Sequence, residues 1–144
     1  MTHHRRRNNG TGTSDTNKAE LSPAQRYAAF KQTQAKQRTV AAEFASSMSC
    51  ELDEFQLQAN EALETGNNVL VAAPTGAGKT VVADFAIYLA QTRNVKAFYT
   101  TPIKALSNQK YHDLVAQYGA DKVGLLTGDT SINSEANIVV MTTE

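Results

Sequence analysis

Residues 1 to about 20 are polar almost without interruption, and apolar positions then return in two rhythms. Ser22 followed by Pro23 offers a hydroxyl to cap a helix and a proline suited to its first position, and AQRYAAFKQTQAKQRTVAAEFAS continues with good helix formers. One helix is therefore predicted from about 23 to 46. Its apolar residues Tyr27, Phe30, Val40 and Phe44 are too widely spaced for a continuous buried stripe, so packing is expected only at its ends. From Leu52 onward DEFQLQANEALETG reads as an amphipathic helix closed by Gly66, where left-handed backbone is wanted. Short apolar runs follow at VLVAA (69–73), VKAFYTT (95–101), VGLLTG (123–128) and NIVVMTT (137–143). Between them lie helical patterns from Lys79 to about Arg93 and from about Lys104 to Tyr118. The order α, β, α, β, α, β, β, with strands rich in Val, Leu and Ile, predicts an α/β domain: a parallel sheet flanked by helices and buried on both faces.

Composition sharpens this picture at the ends. The opening residues lack aromatics and contain few large apolar side chains, so nothing offsets the entropy of ordering them, and 1–21 is predicted to be a disordered basic tail. Residues 22–50 form a helix and linker, and 51–144 the layered domain. Zero net charge hides an asymmetry: residues 1–46 carry eight Lys/Arg against three Asp/Glu, and 47–144 carry six against eleven. Arg5, Arg6 and Arg7 read as a solvated tail rather than a nucleic-acid arm. No apolar run is long enough to cross a membrane, and no apolar stretch follows the basic start, so a cytoplasmic protein without a membrane partner is expected. Cys50 is the single cysteine, and His3, His4 and His112 have no companions at metal-ligand spacing. His112 is read as a surface residue.

The chemistry is concentrated in Ala73, Pro74, Thr75, Gly76, Ala77, Gly78, Lys79 and Thr80, between a predicted strand and a predicted helix. Gly76 and Gly78 permit backbone angles closed to other residues, letting main-chain N–H groups turn inward around a β-phosphate, and the helix adds its positive N-terminal end. Lys79 would reach the β- and γ-phosphates. Thr80 would place its hydroxyl on the Mg²⁺ bridging them, which is why a hydroxyl residue follows the lysine. Nucleotide binding is the expectation, although such a loop does not by itself tell kinases, GTPases, transporters and motors apart.

APTGAGKT, TTPIKALSNQK, TGD and VVMTTE, in this order and spacing, resemble superfamily two helicases, in particular the superkiller-like DExH-box group with its bacterial HelY-type enzymes. The resemblance runs from about Leu52 to Glu144. It implies that 51–144 is the first part of a RecA-like P-loop NTPase domain using ATP and Mg²⁺, and that Lys79 and Thr80 serve catalysis. Gln56 in LDEFQ resembles the adenine-reading glutamine, whose amide can pair with both N6 and N7 of adenine. Six positions before it the family has an aromatic residue and this chain has Cys50, which puts ring stacking of adenine in doubt. Thr101, Pro102 and Lys104 resemble motif Ia, Thr127, Gly128 and Asp129 resemble motif Ib, and Thr142 with Thr143 the next strand-contacting motif. These groups imply contacts to the sugar-phosphate backbone of single-stranded nucleic acid, RNA by resemblance, with little reading of bases.

Hydrolysis needs carboxylates for Mg²⁺ and the attacking water, and arginines for the transferring phosphoryl. By resemblance the acidic pair follows the strand ending at VVMTTE, and the arginines come from a second RecA-like domain of the same full-length chain. The 144 residues are therefore read as an N-terminal piece of an ATP-dependent helicase tracking 3′ to 5′, inactive alone. The alternatives are a hydrolysis-dead nucleotide- or nucleic-acid-binding protein and a DNA helicase of the same superfamily. A phosphotransferase fits less well, because TTPIKALSNQK has no place in one.

Overall fold

The computed structural model describes residues 22–37 and 39–143, and the predicted basic tail at 1–21 lies outside them. The chain divides at Gln34 into two compact units. In the first, α1 (Pro23–Gln37) starts where Ser22 and Pro23 predict. Gln25 N donates to Ser22 Oγ (3.3 Å) and Ser22 N donates to Gln25 Oε1 (2.8 Å), a reciprocal cap. Tyr27 and Phe30 stay exposed.

The single helix expected over 23–46 is two helices, because α2 (Val40–Ser47) has its own start. Thr39 is extended, and its hydroxyl accepts from Ala42 N (3.2 Å). In α3 (Glu54–Glu64) the Glu64 carboxylate accepts from Val40 N and Ala41 N, both at 2.9 Å. A threonine that can cap competes with helix continuation, and here the cap wins. α2 then buries Ala41 and Phe44 against Leu52 and, from α4 (Thr80–Thr92), Phe85 and Leu89. Phe44 and Phe85 meet edge to face at 5.3 Å. α3 ends as its sequence predicts. Gly66 has φ +87°, Asn67 N donates to Ala62 O and Gly66 N to Leu63 O, both at 3.0 Å, which together form a Schellman motif.

Four strands make one sheet in the order β1-β4-β2-β3, with β1 (Ala97–Thr101), β2 (Val123–Thr127), β3 (Thr130–Ile132) and β4 (Ile138–Thr142). β4 pairs in parallel with both β1 and β2. Its Ile138, Val139 and Val140 are fully buried, as expected of a central parallel strand. α5 (Lys104–Tyr118) crosses from β1 to β2 and covers them with Leu114, completing a core of Ile87, Leu114, Val123, Leu125, Ile138 and Val140.

Two further features depart from the sequence expectation. Residues 69–73 are not a strand: they have no ladder partner among the described residues, and Leu70 is 94% exposed. A strand exists only as part of a ladder, and no other segment of the described chain pairs with this one. Conversely, residues 130–132 form a strand that is not among the expected runs. β3 pairs antiparallel with β2 through Thr127↔Thr130, leaving Gly128 and Asp129 as a two-residue connection. Among the described residues no helix is long and apolar enough to cross a membrane.

Candidate functional site

The turn from Ala73 to Thr80 is shaped by its two glycines. Gly76 has φ +85° and Gly78 φ +75°, angles that a side chain resists. Gly78 is also crowded, since a Cβ there would stand 2.7 Å from Gln56 Nε2. Ala77 N closes the turn onto Pro74 O (3.2 Å), and α4 begins at Thr80, with no acidic residue in its first turn. Among the described residues the amides of Gly76, Gly78, Lys79 and Thr80 find no acceptor. Four N–H groups without an acceptor at the head of a helix are the kind of donors that an anion would need there.

Lys79 folds back over this turn. Its Nζ donates to Ala73 O (2.6 Å) and Pro74 O (2.8 Å), so two of three ammonium protons are used and one is left for an incoming oxygen. Thr80 is exposed, and its hydroxyl takes no partner among the described residues. Free amides, a tethered cation and an unengaged hydroxyl match what the phosphates and Mg²⁺ of a nucleotide require, so the residues present fit the group expected from sequence. Among the described residues no three His, Cys, Asp or Glu side chains converge on a metal position.

Gln56 is the residue whose surroundings differ most from expectation. It is 5% exposed, its Oε1 accepts from Asp53 N (2.9 Å) and its Nε2 donates to Gly78 O (2.8 Å). The side chain thus caps α3 and ties that helix to the phosphate turn. Its position three residues after Asp53 is the signal from which a capping role could have been read. Cys50 is exposed.

Below the turn, Thr80 shares a cavity of about 250 Å³ with Tyr99, Thr101, Leu106, Gln109, Lys110 and Asp113. Lys110 pairs with Asp84 of α4 (2.5 Å) and lies 5.3 Å from the Tyr99 ring centre, joining α4, α5 and β1. Thr101, at the end of β1, is buried. Its Oγ1 lies 2.9 Å from Ile103 O and 2.6 Å from Ser107 Oγ, and Thr143 N donates to its carbonyl (3.2 Å). The Thr101 hydroxyl therefore holds the start of α5 and does not face outward.

A second cleft, of about 410 Å³, opens at the carboxyl ends of the parallel strands and is lined by Pro102, Ile103, Lys104, Thr127, Gly128, Asp129 and Thr142. Six of the eight residues singled out from sequence as strand contacts meet there. Thr101 is turned inward, and exposed Thr143 lies outside the lining. Ile103 is the lining residue that sequence reasoning missed. It occupies the N-cap position of α5 and is 55% exposed, an apolar side chain where a polar cap is usual. The amides of Lys104 and Ala105 consequently have no side-chain partner. Lys104 Nζ pairs with Asp129 Oδ2, while Thr127 Oγ1 donates to Asp129 Oδ1 (3.0 Å). Hydrogen bonds from Lys104 and then Thr127 hold the Asp129 carboxyl below the ordinary carboxylate range, so it is ionised near neutrality. His112 is exposed on α5 against Tyr111 and reaches neither cleft.

The chain has relatives over this region. It is 60% identical over 101 residues to the probable helicase HelY of Mycobacterium tuberculosis, an overlap covering 70% of this chain and 11% of that protein. It is 52% identical over 100 residues to the antiviral helicase SKI2 of Saccharomyces cerevisiae, covering 69% and 8%. With the chloroplastic DExH-box ATP-dependent RNA helicase DExH15 of Arabidopsis thaliana it is 50% identical over 93 residues, covering 65% and 8%. The chain thus spans about a tenth of the length of these relatives. The DEAD/DEAH box helicase family matches residues 53–144, which hold both the phosphate turn and the strand-end cleft, and the chain belongs to that family.

Proposed function

We propose that this chain is the phosphate-binding part of an ATP-driven helicase, holding Mg·ATP at the 73–80 turn and the backbone of single-stranded RNA in the 410 Å³ cleft. The observation that carries this is the shared end of the sheet. Thr101 closes β1, lines the cavity that contains Thr80, and precedes Pro102 and Lys104 of the strand-end cleft. In parallel sheets the carboxyl ends of the strands are where ligands sit. Lys79, the turn amides and Thr80 would hold the triphosphate and its magnesium. When bound, Mg·ATP supplies the free energy of phosphoryl transfer. The residues of this chain supply binding and alignment, and a second RecA-like domain of the same protein would complete the hydrolytic site.

The cleft suits a backbone rather than bases. It offers a cation, a carboxylate, two hydroxyls, free helix amides and two apolar side chains, and none of these demands a particular base. RNA is favoured by the DExH15 relative, whose name states an RNA helicase.

A paired titration tests this assignment. Lys104→Ala is expected to weaken binding of a labelled single-stranded oligonucleotide by roughly 3- to 10-fold and to lower the slope of log affinity against log salt by about one. Nucleotide affinity should stay unchanged. Equal loss of both ligands, or of neither, would remove the cleft from the assignment.

A further inference from the structure

The strand-end cleft contains a group that a purely phosphate-binding surface has no use for. Asp129 sits at the tip of the β2–β3 connection, ionised and 64% exposed at its side chain. A phosphodiester is itself anionic and offers only acceptors, so it cannot bond to a carboxylate and is repelled by it.

A carboxylate has about four lone-pair positions. Oδ1 accepts from Thr127 Oγ1 (3.0 Å) and Thr130 Oγ1 (3.4 Å), Oδ2 accepts from Lys104 Nζ, and the main-chain N–H of Asp129 also bears on the carboxyl. Lys104 is the one side chain among the described residues that donates to Oδ2, which can accept a second bond beside the ammonium. Along the sugar-phosphate backbone of DNA there is no hydrogen-bond donor to make that bond. Along RNA there is one per nucleotide, the 2′-hydroxyl. A cation and a carboxylate acceptor held side by side therefore match the phosphate and 2′-hydroxyl that recur together along a ribose backbone.

We propose that Asp129 selects RNA over DNA by accepting a hydrogen bond from one ribose 2′-hydroxyl of the strand in the cleft, while Lys104 meets the neighbouring phosphate. The proposal rests on the nucleic-acid assignment above. It differs from a positioning role for Asp129, in which the carboxylate only aims Lys104 and Thr127, because aiming would serve RNA and DNA equally.

The test compares oligouridylate with oligodeoxyuridylate of the same length, so that the bases are identical, by fluorescence anisotropy with the full chain at one salt concentration. The wild-type chain is expected to favour oligouridylate. Asp129→Asn and Asp129→Ala are each expected to reduce that preference about 5-fold, mainly by tightening the DNA strand as the repelling charge is removed. A single 2′-deoxy substitution walked along oligouridylate should weaken binding at one position in the wild type and at none in Asp129→Ala, which has no acceptor. An unchanged RNA-to-DNA ratio in both variants, or no RNA preference in the wild type, overturns the selector and leaves the cleft as a strand site. Failure of the wild type to bind either strand overturns the strand site and the selector with it.

Discussion

The phosphate turn and the strand-end cleft are both arranged for anions, yet they are built from different material. The turn presents main-chain N–H groups with no competing acceptor, and its cation is parked on carbonyls of the turn itself. The cleft presents side chains that already satisfy one another, Lys104 and Thr127 both engaged by Asp129. Backbone donors are removed only by substitution to proline and keep their geometry as long as the loop keeps its shape. Side-chain donors can be neutralised locally, so that a strand must offer more than charge to displace or complement what is there. The first design suits a ligand that is always the same triphosphate, and the second suits a long polymer that must be held and released.

The difference can be broken from the turn side first. Gly78→Ala forces a side chain into φ +75° with its Cβ 2.7 Å from Gln56 Nε2. Nucleotide affinity is expected to fall on the order of 30-fold or more, because the left-handed angle and the contact both reshape the amide ring. Strand binding without nucleotide should be preserved, and isothermal titration with each ligand separates the two. Gln56→Ala is expected to do less, roughly 10-fold, by leaving Asp53 N–H and Gly78 O unpaired. As a brace, Gln56 supports ATP and GTP alike, so both should weaken by the same factor. A loss confined to ATP would return Gln56 to the adenine-reading role that its sequence context implies. Smallest is Thr127→Val, which removes one hydroxyl from Asp129 and should cost about 2-fold in strand affinity with no effect on nucleotide. A larger effect on nucleotide than on strand would mean that the two regions are not separable.

The turn was legible in the sequence because its determinants are local. Two glycines, a lysine and a threonine between an apolar run and a helix set backbone angles and donors within eight residues, and Gly76 and Gly78 both take the positive φ expected of them. Gly66 was legible for the same reason. The misses are all questions of who pairs with whom. Residues 69–73 have the composition of a strand, but pairing is a long-range property that composition does not carry. The β3 strand was hidden in DTSIN, although the Gly128-Asp129 pair between two short runs is a recognised hairpin signal. The helix break at Thr39 turned on the Glu64 carboxylate, 23 and 24 residues further along the chain, accepting from the first amides of α2. Gln56 stands out in the sequence as an adenine reader, but its bond to Gly78 spans 22 residues and could not be seen from its helix alone. Of the expected strand contacts, the Thr101 hydroxyl is engaged by that of Ser107, the fourth residue of α5, a pairing that the sequence pattern does not announce.

Titration of a fluorescent ATP analogue, with and without magnesium, into the wild-type chain and Lys79→Ala tests the phosphate turn most directly. Saturable, magnesium-dependent binding by the wild type, lost in the variant, is the expected result. Binding of equal strength in both chains, or binding indifferent to magnesium, would contradict it.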